Sequence, residues 1–207
     1  MLGFPSTTEV MRVMPKVAFY ENLKLKPQEK KLFVSQIDKI ILANSIKPST
    51  MSIKAGEKHD EILVLNIDLK EKEISDDLLE AIARQNYRPL IFVCNYLTES
   101  RAYVYRQRIY DTGWAPADSF ILNTAAETLD DLWNSICSQI ALGEDLALST
   151  EGLDHELWRN RQVSILEAEI VKLTERSRKE KQIARKNKLF AEVRTKQQEL
   201  NRLKAEE

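Results

Sequence analysis

Alternating aliphatic residues make residues 61–74 the most strand-like stretch of the chain. Its odd positions from 63 to 69 are all leucine or isoleucine. Its even positions change from apolar to polar in the order Ile62, Val64, Asn66 and Asp68. A strand with two apolar faces at its start and one at its end is typical of a central strand that reaches the surface at one end. We therefore predict a central strand that emerges at Asp68.

Four other stretches carry strand signals. They are a short segment at 50–54, the apolar run LIFVCNYL at 90–97, its predicted hairpin partner AYVYRQRIY at 102–110, and SFILN at 119–123. The turns TES and GWAP separate the last three, as expected for strands joined by short connections.

The first predicted helix begins at Pro27, because proline is tolerated at a first helical position. The next residues at helical spacing are Phe33, Ile37, Ile40, Ile41 and Asn44. The helix should end near Ser45, since the residue before Pro48 avoids the helical conformation. The spacing therefore predicts one helix over 27–45.

Two more helices have recognisable start signals. Ser75 and Asp76 can cap one of them. Thr124 and Glu127 form a T-x-x-E capping box for another, which should end near Gly143. With the strands, these elements predict an α/β (α+β) fold over residues 27–145, in which helices flank a small mixed sheet.

Residues 1–26 are predicted to form an ordered but irregular N-terminal arm. Three prolines interrupt the first 27 positions, which argues against a regular element. Phe19, Tyr20 and Leu23 are the side chains expected to pack this arm on the core.

Residues 153–207 contain no glycine or proline and carry a heptad-like pattern. Its two apolar seams are Val163, Leu166, Ile170 and Leu173, then Leu189, Val193, Leu200 and Leu203. The pattern predicts a charged, coiled-coil-like extension, either a helical hairpin that turns near 176–182 or one long helix. Each seam is shorter than an isolated coiled coil needs, so a hairpin or a homodimer would supply the missing contacts.

The net charge of -1 gives the whole chain no field that attracts nucleic acid or anionic lipid. Residues 151–207 differ, because they carry 14 Lys or Arg and 11 Asp or Glu. A basic cluster lies around the predicted turn: Arg176, Arg178, Lys179, Lys181, Arg185, Lys186 and Lys188. This cluster could contact nucleic-acid phosphates or a partner. The alternative interpretation is a solvated helix face.

Asp68 and Lys70 have the spacing found in metal-dependent nucleases of PD-(D/E)-x-K type. Residues two apart on a strand share a face, so the pair could hold Mg²⁺ and orient an attacking water. Such a site needs a further acid on the preceding strand, and residues 50–54 contain none. The alternative interpretation is the polar rim of a buried strand.

The other chemistry-bearing residues form no recognisable site. Cys94 and Cys137 lie in apolar surroundings, as buried thiols of a cytoplasmic protein do. The sequence has no zinc-ligand cluster, no Gly-rich phosphate loop and no nucleophile elbow. It also has no signal peptide and no membrane-length apolar run. We expect a cytoplasmic protein without a cofactor, with Mg²⁺ only under the nuclease hypothesis.

Five motifs together resemble one family. In chain order they are MPKVAFYENLKLKPQEKKLFVSQIDKII, IKPSTMSI, IDLKEKEI, DTGW and RKEKQIARK. The sequence resembles, from end to end, the bacterial and archaeal family catalogued as domain of unknown function 4391. It departs from the family pattern at IILANSI, where an aromatic-rich helix end is more usual.

The resemblance implies a small protein encoded beside SWI/SNF-type helicases and DNA methyltransferases, in antiviral-defence or restriction-like gene clusters. It implies no catalytic residues. We therefore expect a non-enzymatic accessory protein that binds a protein partner, such as the helicase or the methyltransferase. A metal-dependent nuclease using Asp68 and Lys70 and a sequence-independent DNA-binding module are the alternatives.

Overall fold

The computed structural model describes residues 2–17 and 23–205, and the chain divides into two units. Met1–Ser149 form the sheet unit, and Thr150–Glu207 form the hairpin unit. Six α-helices have both of their bounds in the described residues: α1 (Pro27–Gln36), α2 (Pro48–Met51), α3 (Asp76–Arg84), α4 (Leu129–Leu142), α5 (Thr150–Lys179) and α6 (Ile183–Lys204).

The sheet unit is built on seven strands. They are β1 (Glu9–Met14), β2 (Ile37–Ile46), β3 (Ile62–Leu69), β4 (Leu90–Tyr96), β5 (Glu99–Arg106), β6 (Arg108–Asp111) and β7 (Ala115–Pro116). Neighbours follow in the order β1-β2-β3-β4-β5-β6, and β7 pairs with β5. The β3–β4 pair is parallel and the other pairs are antiparallel. The predicted mixed α+β fold is therefore confirmed.

Helices cover both faces of this sheet. On one face, the odd-numbered leucine and isoleucine residues of β3 pack in a core with Phe33 of α1 and Ile82 of α3. On the other face, Arg106 of β5 donates a hydrogen bond to Asn134 Oδ1 of α4 at 3.0 Å. Arg106 shares its face with the buried Val104, two residues earlier. The central strand β3 thus has the position that its sequence predicts.

The helix predicted over 27–45 is wrong in its second half, because α1 ends at Gln36 and β2 follows directly. The register of β2 against β3 shifts twice along its length. The residues it buries are consequently spaced by three, at Ile37, Ile40, Ala43 and Ile46. Two β-bulges thus give a strand the apolar spacing of a helix, and this spacing misled the prediction.

Three shorter predictions are also wrong. Of the strand predicted at 50–54, residues 50 and 51 lie in α2, whose first turn Pro48 begins, and Lys54 forms only an isolated β-bridge with Thr128. The strand predicted at 102–110 is two strands, which separate at Gln107 with a φ of 62°. Residues 120–123 form no strand. The helix predicted from the capping box at Thr124 is α4, and it begins after Thr128, whose side chain accepts a hydrogen bond from the Asp131 amide. Thr128 and Asp131 make the same kind of capping box four residues later than predicted.

The N-terminal arm contains a regular strand, so its predicted irregularity is wrong. β1 pairs antiparallel with β2 at the sheet edge, with a register irregularity between Glu9 and Arg12. Its side chains are mostly exposed, which is why no buried pattern marks it in the sequence. Leu23 packs partly buried against the core, whereas Phe19 and Tyr20 lie outside the described residues.

The hairpin unit consists of α5 and α6, joined by residues 180–182. Ion pairs join Glu167 to Lys204 at 2.7 Å and Glu169 to Lys196 at 2.5 Å. Later residues of α5 thus meet earlier residues of α6, and the helices run antiparallel. Of the two predicted arrangements, the structure shows the helical hairpin.

Candidate functional site

Asp68 lies at one wall of a cleft of about 290 Å³ on the sheet. The residues that line this Asp68 cleft are Leu2, Asn44, Val64, Asn66, Asp68, Val93, Asn95, Leu97, Ser100, Ala117, Asp118 and Phe120. One wall of the cleft is a row of polar residues on three adjacent strands, Asp68 of β3, Asn95 of β4 and Ser100 of β5, which we call the polar row. The strand register places Asp68 opposite Asn95, and Asn95 opposite Ser100. The cleft therefore lies where the even face of β3 turns polar.

The polar row is hydrogen-bonded from strand to strand. Ser100 Oγ donates to Asn95 Oδ1 at 2.7 Å, and Asn95 Nδ2 donates to Asp68 Oδ1 at 3.1 Å. Ser100 is 3% exposed, so the row is fixed at its β5 end. This chain of donors orients the Asn95 amide and holds the Asp68 carboxylate at the cleft wall.

Lys70 does not join Asp68 in this cleft. Its Nζ donates to the Val34 carbonyl of α1 at 2.8 Å. Because β3 ends at Leu69, the two-residue periodicity no longer governs where Lys70 points. In the described parts of the chain, no three His, Cys, Asp or Glu side chains come together in a geometry that could hold a metal ion. The nuclease hypothesis stays a prediction, and plasmid cleavage with Mg²⁺ by wild type and Asp68→Ala tests it.

The seven basic residues singled out in the sequence lie on both sides of the turn between α5 and α6. We call this region, residues 176–188, the hairpin tip. Six of the seven side chains are exposed, and Lys186 is half-buried. The tip contains one acidic residue, Glu180, and therefore carries seven positive charges and one negative charge. No other segment described above concentrates charge in this way.

The turn at the tip forms without glycine or proline. The Glu180 amide donates to the Arg176 carbonyl at 3.0 Å, and the Gln182 amide donates to the Glu180 side chain at 2.9 Å. Gln182 is extended and precedes α6 as its N-cap residue. A glutamate side chain therefore satisfies the backbone where a glycine would usually end the helix.

Exposed apolar side chains accompany the basic residues. Ile183 is 76% exposed, and Phe190 is 52% exposed. They are seven residues apart and so lie on one face of α6. Large apolar side chains exposed among charges are typical of a protein contact surface.

The eight seam residues all lie on the less exposed side of the hairpin. Leu166 and Leu200 are buried, and the other six are half-buried. Ser177, where the apolar seam stops in the sequence, is also buried at 1% exposure. Its hydroxyl has no hydrogen-bond partner among the described residues. The sequence interpretation missed this position because serine broke the apolar pattern.

Glu61 is a buried carboxylate whose role the sequence interpretation missed. Ser45 Oγ donates to it at 2.5 Å, and Lys47 Nζ lies 3.1 Å away. Arg88 Nε forms an ion pair with the Glu61 carboxylate, but the two groups are not aligned for a hydrogen bond. Burial raises the pKa of Glu61, but the hydrogen bonds from Ser45 and Lys47 and the charge of Arg88 outweigh burial and lower it. Glu61 thereby ties together the ends of β2, β3 and β4.

Asp130 was also missed, and it organises the loop before β3. Its carboxylate accepts hydrogen bonds from the amides of residues 57, 58 and 59 and contacts His59 Nδ1 at 2.7 Å. Burial raises its pKa, but the Lys58 amide, the His59 ring and the Glu57 amide outweigh burial and lower it. A Cβ on Gly56 would lie 2.2 Å from Asp130 Oδ1, so the loop needs glycine there.

Cys94 and Cys137 are buried and unbridged. Burial raises the pKa of the Cys94 thiol, so it stays protonated and unreactive. Among residues 2–17 and 23–205, none of the helices combines the length and the apolarity that a membrane span requires.

Comparison with known families agrees with the motifs quoted above. The model of the family described as Domain of unknown function (DUF4391) matches residues 2–200. No curated protein and no solved structure matches the sequence. The family match includes the sheet unit and nearly all of the hairpin unit, so the end-to-end resemblance is confirmed. The chain belongs to the DUF4391 family.

Proposed function

We propose that the protein is a non-enzymatic accessory protein that binds a protein partner through its helical hairpin. The partner would be a helicase or a DNA methyltransferase of a genome-defence or restriction-like system. The hairpin tip is the observation that carries the proposal, because it concentrates exposed basic and apolar side chains in a unit separate from the sheet. The family resemblance supplies the class of partner.

The side chains of the tip define the chemistry of the partner surface. Seven positive charges against one negative charge require an acidic surface. Ile183 of the tip and Phe190, which lies just beyond the tip on α6, require an apolar groove beside that surface, since exposed apolar side chains of this size gain most when they leave water. An acidic surface with an apolar groove is therefore the partner site that the tip fits.

Co-purification from cells that express the chain with its neighbouring helicase or methyltransferase tests this function. The tip variant replaces Arg178, Lys181 and Arg185 with glutamate. We expect wild type to retain the partner and the tip variant to lose it. A matched control variant carries the same kind of glutamate substitution at Arg161, Lys172 and Arg194. These three residues are exposed on the same two helices but lie outside the tip. Equal retention by all three proteins would reject the tip as the binding surface.

Sequence-independent DNA binding by the same tip is a second candidate. The exposure of six basic side chains around one turn favours it. If all seven contact phosphates, the logarithm of the binding constant should fall with the logarithm of salt concentration at a slope of about -6. Fluorescence anisotropy with unrelated duplexes measures this slope. A slope near zero, or one that the tip variant leaves unchanged, would exclude this candidate.

A further inference from the structure

The Asp68 cleft has an asymmetric set of polar groups. Its lining contains two carboxylates, Asp68 and Asp118, and no Lys, Arg or His. Asp68 Oδ2 and the Asn66 side chain have no hydrogen-bond partner among the described residues, although Asp68 Oδ1 is held by Asn95. The cleft therefore presents acceptors to a ligand and repels anions.

The position of the cleft in the sheet is also informative. Asp68 and Asn95 are the next-to-last residues of β3 and β4, the parallel pair. Ligands of open sheets with parallel strands bind at the carboxyl ends of those strands, where connections leave the sheet and side chains are free. The polar row occupies this place on the face opposite α1 and α3.

Apolar side chains complete the cleft walls. Val64, Val93 and Phe120 line it beside the polar row. Val64 is 1% exposed and Val93 is 9% exposed, so these walls are firm parts of the sheet. The volume of about 290 Å³ lies at the lower end of the range for small-molecule sites. A ligand of this site would be small and would carry a short apolar body.

We propose that the Asp68 cleft binds a small organic cation, a primary ammonium or guanidinium group on a short aliphatic chain. Asp68 Oδ2 accepts hydrogen bonds from the cationic group, and the Asn66 amide oxygen accepts another. The valine side chains and Phe120 contact the aliphatic chain, and Asp118 at the exposed end adds negative charge. This inference does not depend on the hairpin tip or on its partner.

Isothermal titration of the full chain with agmatine and with 1,4-diaminobutane tests the cleft. Butane-1,4-diol is the neutral control of similar length, and butyrate is the anionic control. We expect saturable one-to-one binding of at least one cation, at least tenfold tighter than that of either control. Binding of the diol as tight as that of the cations, or no saturable binding of either cation, would overturn the proposal.

Two matched variants locate the binding. Asp68→Asn keeps an acceptor for Asn95 and removes the charge, so it should weaken cation binding at least tenfold. Asp38→Asn removes an exposed carboxylate of β2 outside the cleft and should leave binding unchanged. Amide resonances of wild-type residues 66–68 and 93–95 should shift on titration, which checks the site without any substitution. Equal weakening by the two variants, or shifts confined to other residues, would contradict the assignment.

Discussion

The sheet unit and the hairpin unit obtain their structures in different ways. In the sheet unit, β2 pairs with β1 and with β3, which are far from it and from each other in the sequence. In the hairpin unit, two neighbouring helices pack along seams that the heptad spacing already marks. The difference predicts that side chains of the sheet unit have large individual effects on stability, whereas the hairpin tip can be altered at little structural cost.

Phe92→Ala should have the largest effect on stability. Phe92 is fully buried on β4, within the core that α1 and α3 cover. Its removal should lower the free energy of unfolding by about 3–5 kcal/mol, because it leaves a cavity. Leu200→Ala in the hairpin unit should lower the free energy of unfolding by about 2 kcal/mol, since only one other helix packs against Leu200 within that unit. Urea unfolding followed by circular dichroism compares the two, and a larger loss for Leu200→Ala would reverse the comparison.

Glu61→Gln should come next, with a loss of about 2–3 kcal/mol at pH 7, because Lys47 and Arg88 lose their counter-charge. The lowered pKa of Glu61 means that its contribution is complete above the ordinary glutamate range. It should be lost as the pH falls below about 4.5. Unfolding curves from pH 7 to pH 3 should therefore be flatter for the variant than for wild type. Parallel curves would show that Glu61 is not stabilising as a carboxylate.

Gly56 and Asp130 should be coupled. Gly56→Ala and Asp130→Ala should each lower the free energy of unfolding by about 1–3 kcal/mol, the first by collision and the second by lost hydrogen bonds. In the double variant the collision partner is gone, so the combined loss should be clearly smaller than the sum. A double-mutant cycle by thermal unfolding measures this. Additive losses would show that Gly56 is needed for another reason.

Ser177→Ala should have the smallest effect and the opposite sign. The substitution removes a buried hydroxyl without a partner and adds the residue with the highest helix propensity. We expect a gain of about 0.5–1 kcal/mol, measured by thermal unfolding against the exposed control Ser164→Ala. A loss of stability in Ser177→Ala alone would mean that the hydroxyl makes a hydrogen bond in solution.

The sequence was informative where the pattern is local. It predicted the two-helix alternative with a turn near 176–182, the central strand β3 and its polar end at Asp68. It failed at β2, where two bulges imitate a helical period, and at β1, whose exposed side chains leave no pattern. Among the candidate sites, the basic residues of the tip and Asp68 could be identified from the sequence by residue type and spacing. The contacts of Glu61 and Asp130 join residues 14 to 73 positions apart, which spacing alone does not reveal.

The affinity of the full chain for the helicase or methyltransferase that we propose as its partner tests the central claim most directly. Wild type, the tip variant and Asp68→Asn would be titrated side by side with the purified partner. The account predicts at least tenfold weaker binding for the tip variant, about 1.4 kcal/mol or more, and unchanged binding for Asp68→Asn. Unchanged affinity of the tip variant, with weaker binding of Asp68→Asn, would place the partner site on the sheet unit and contradict the account.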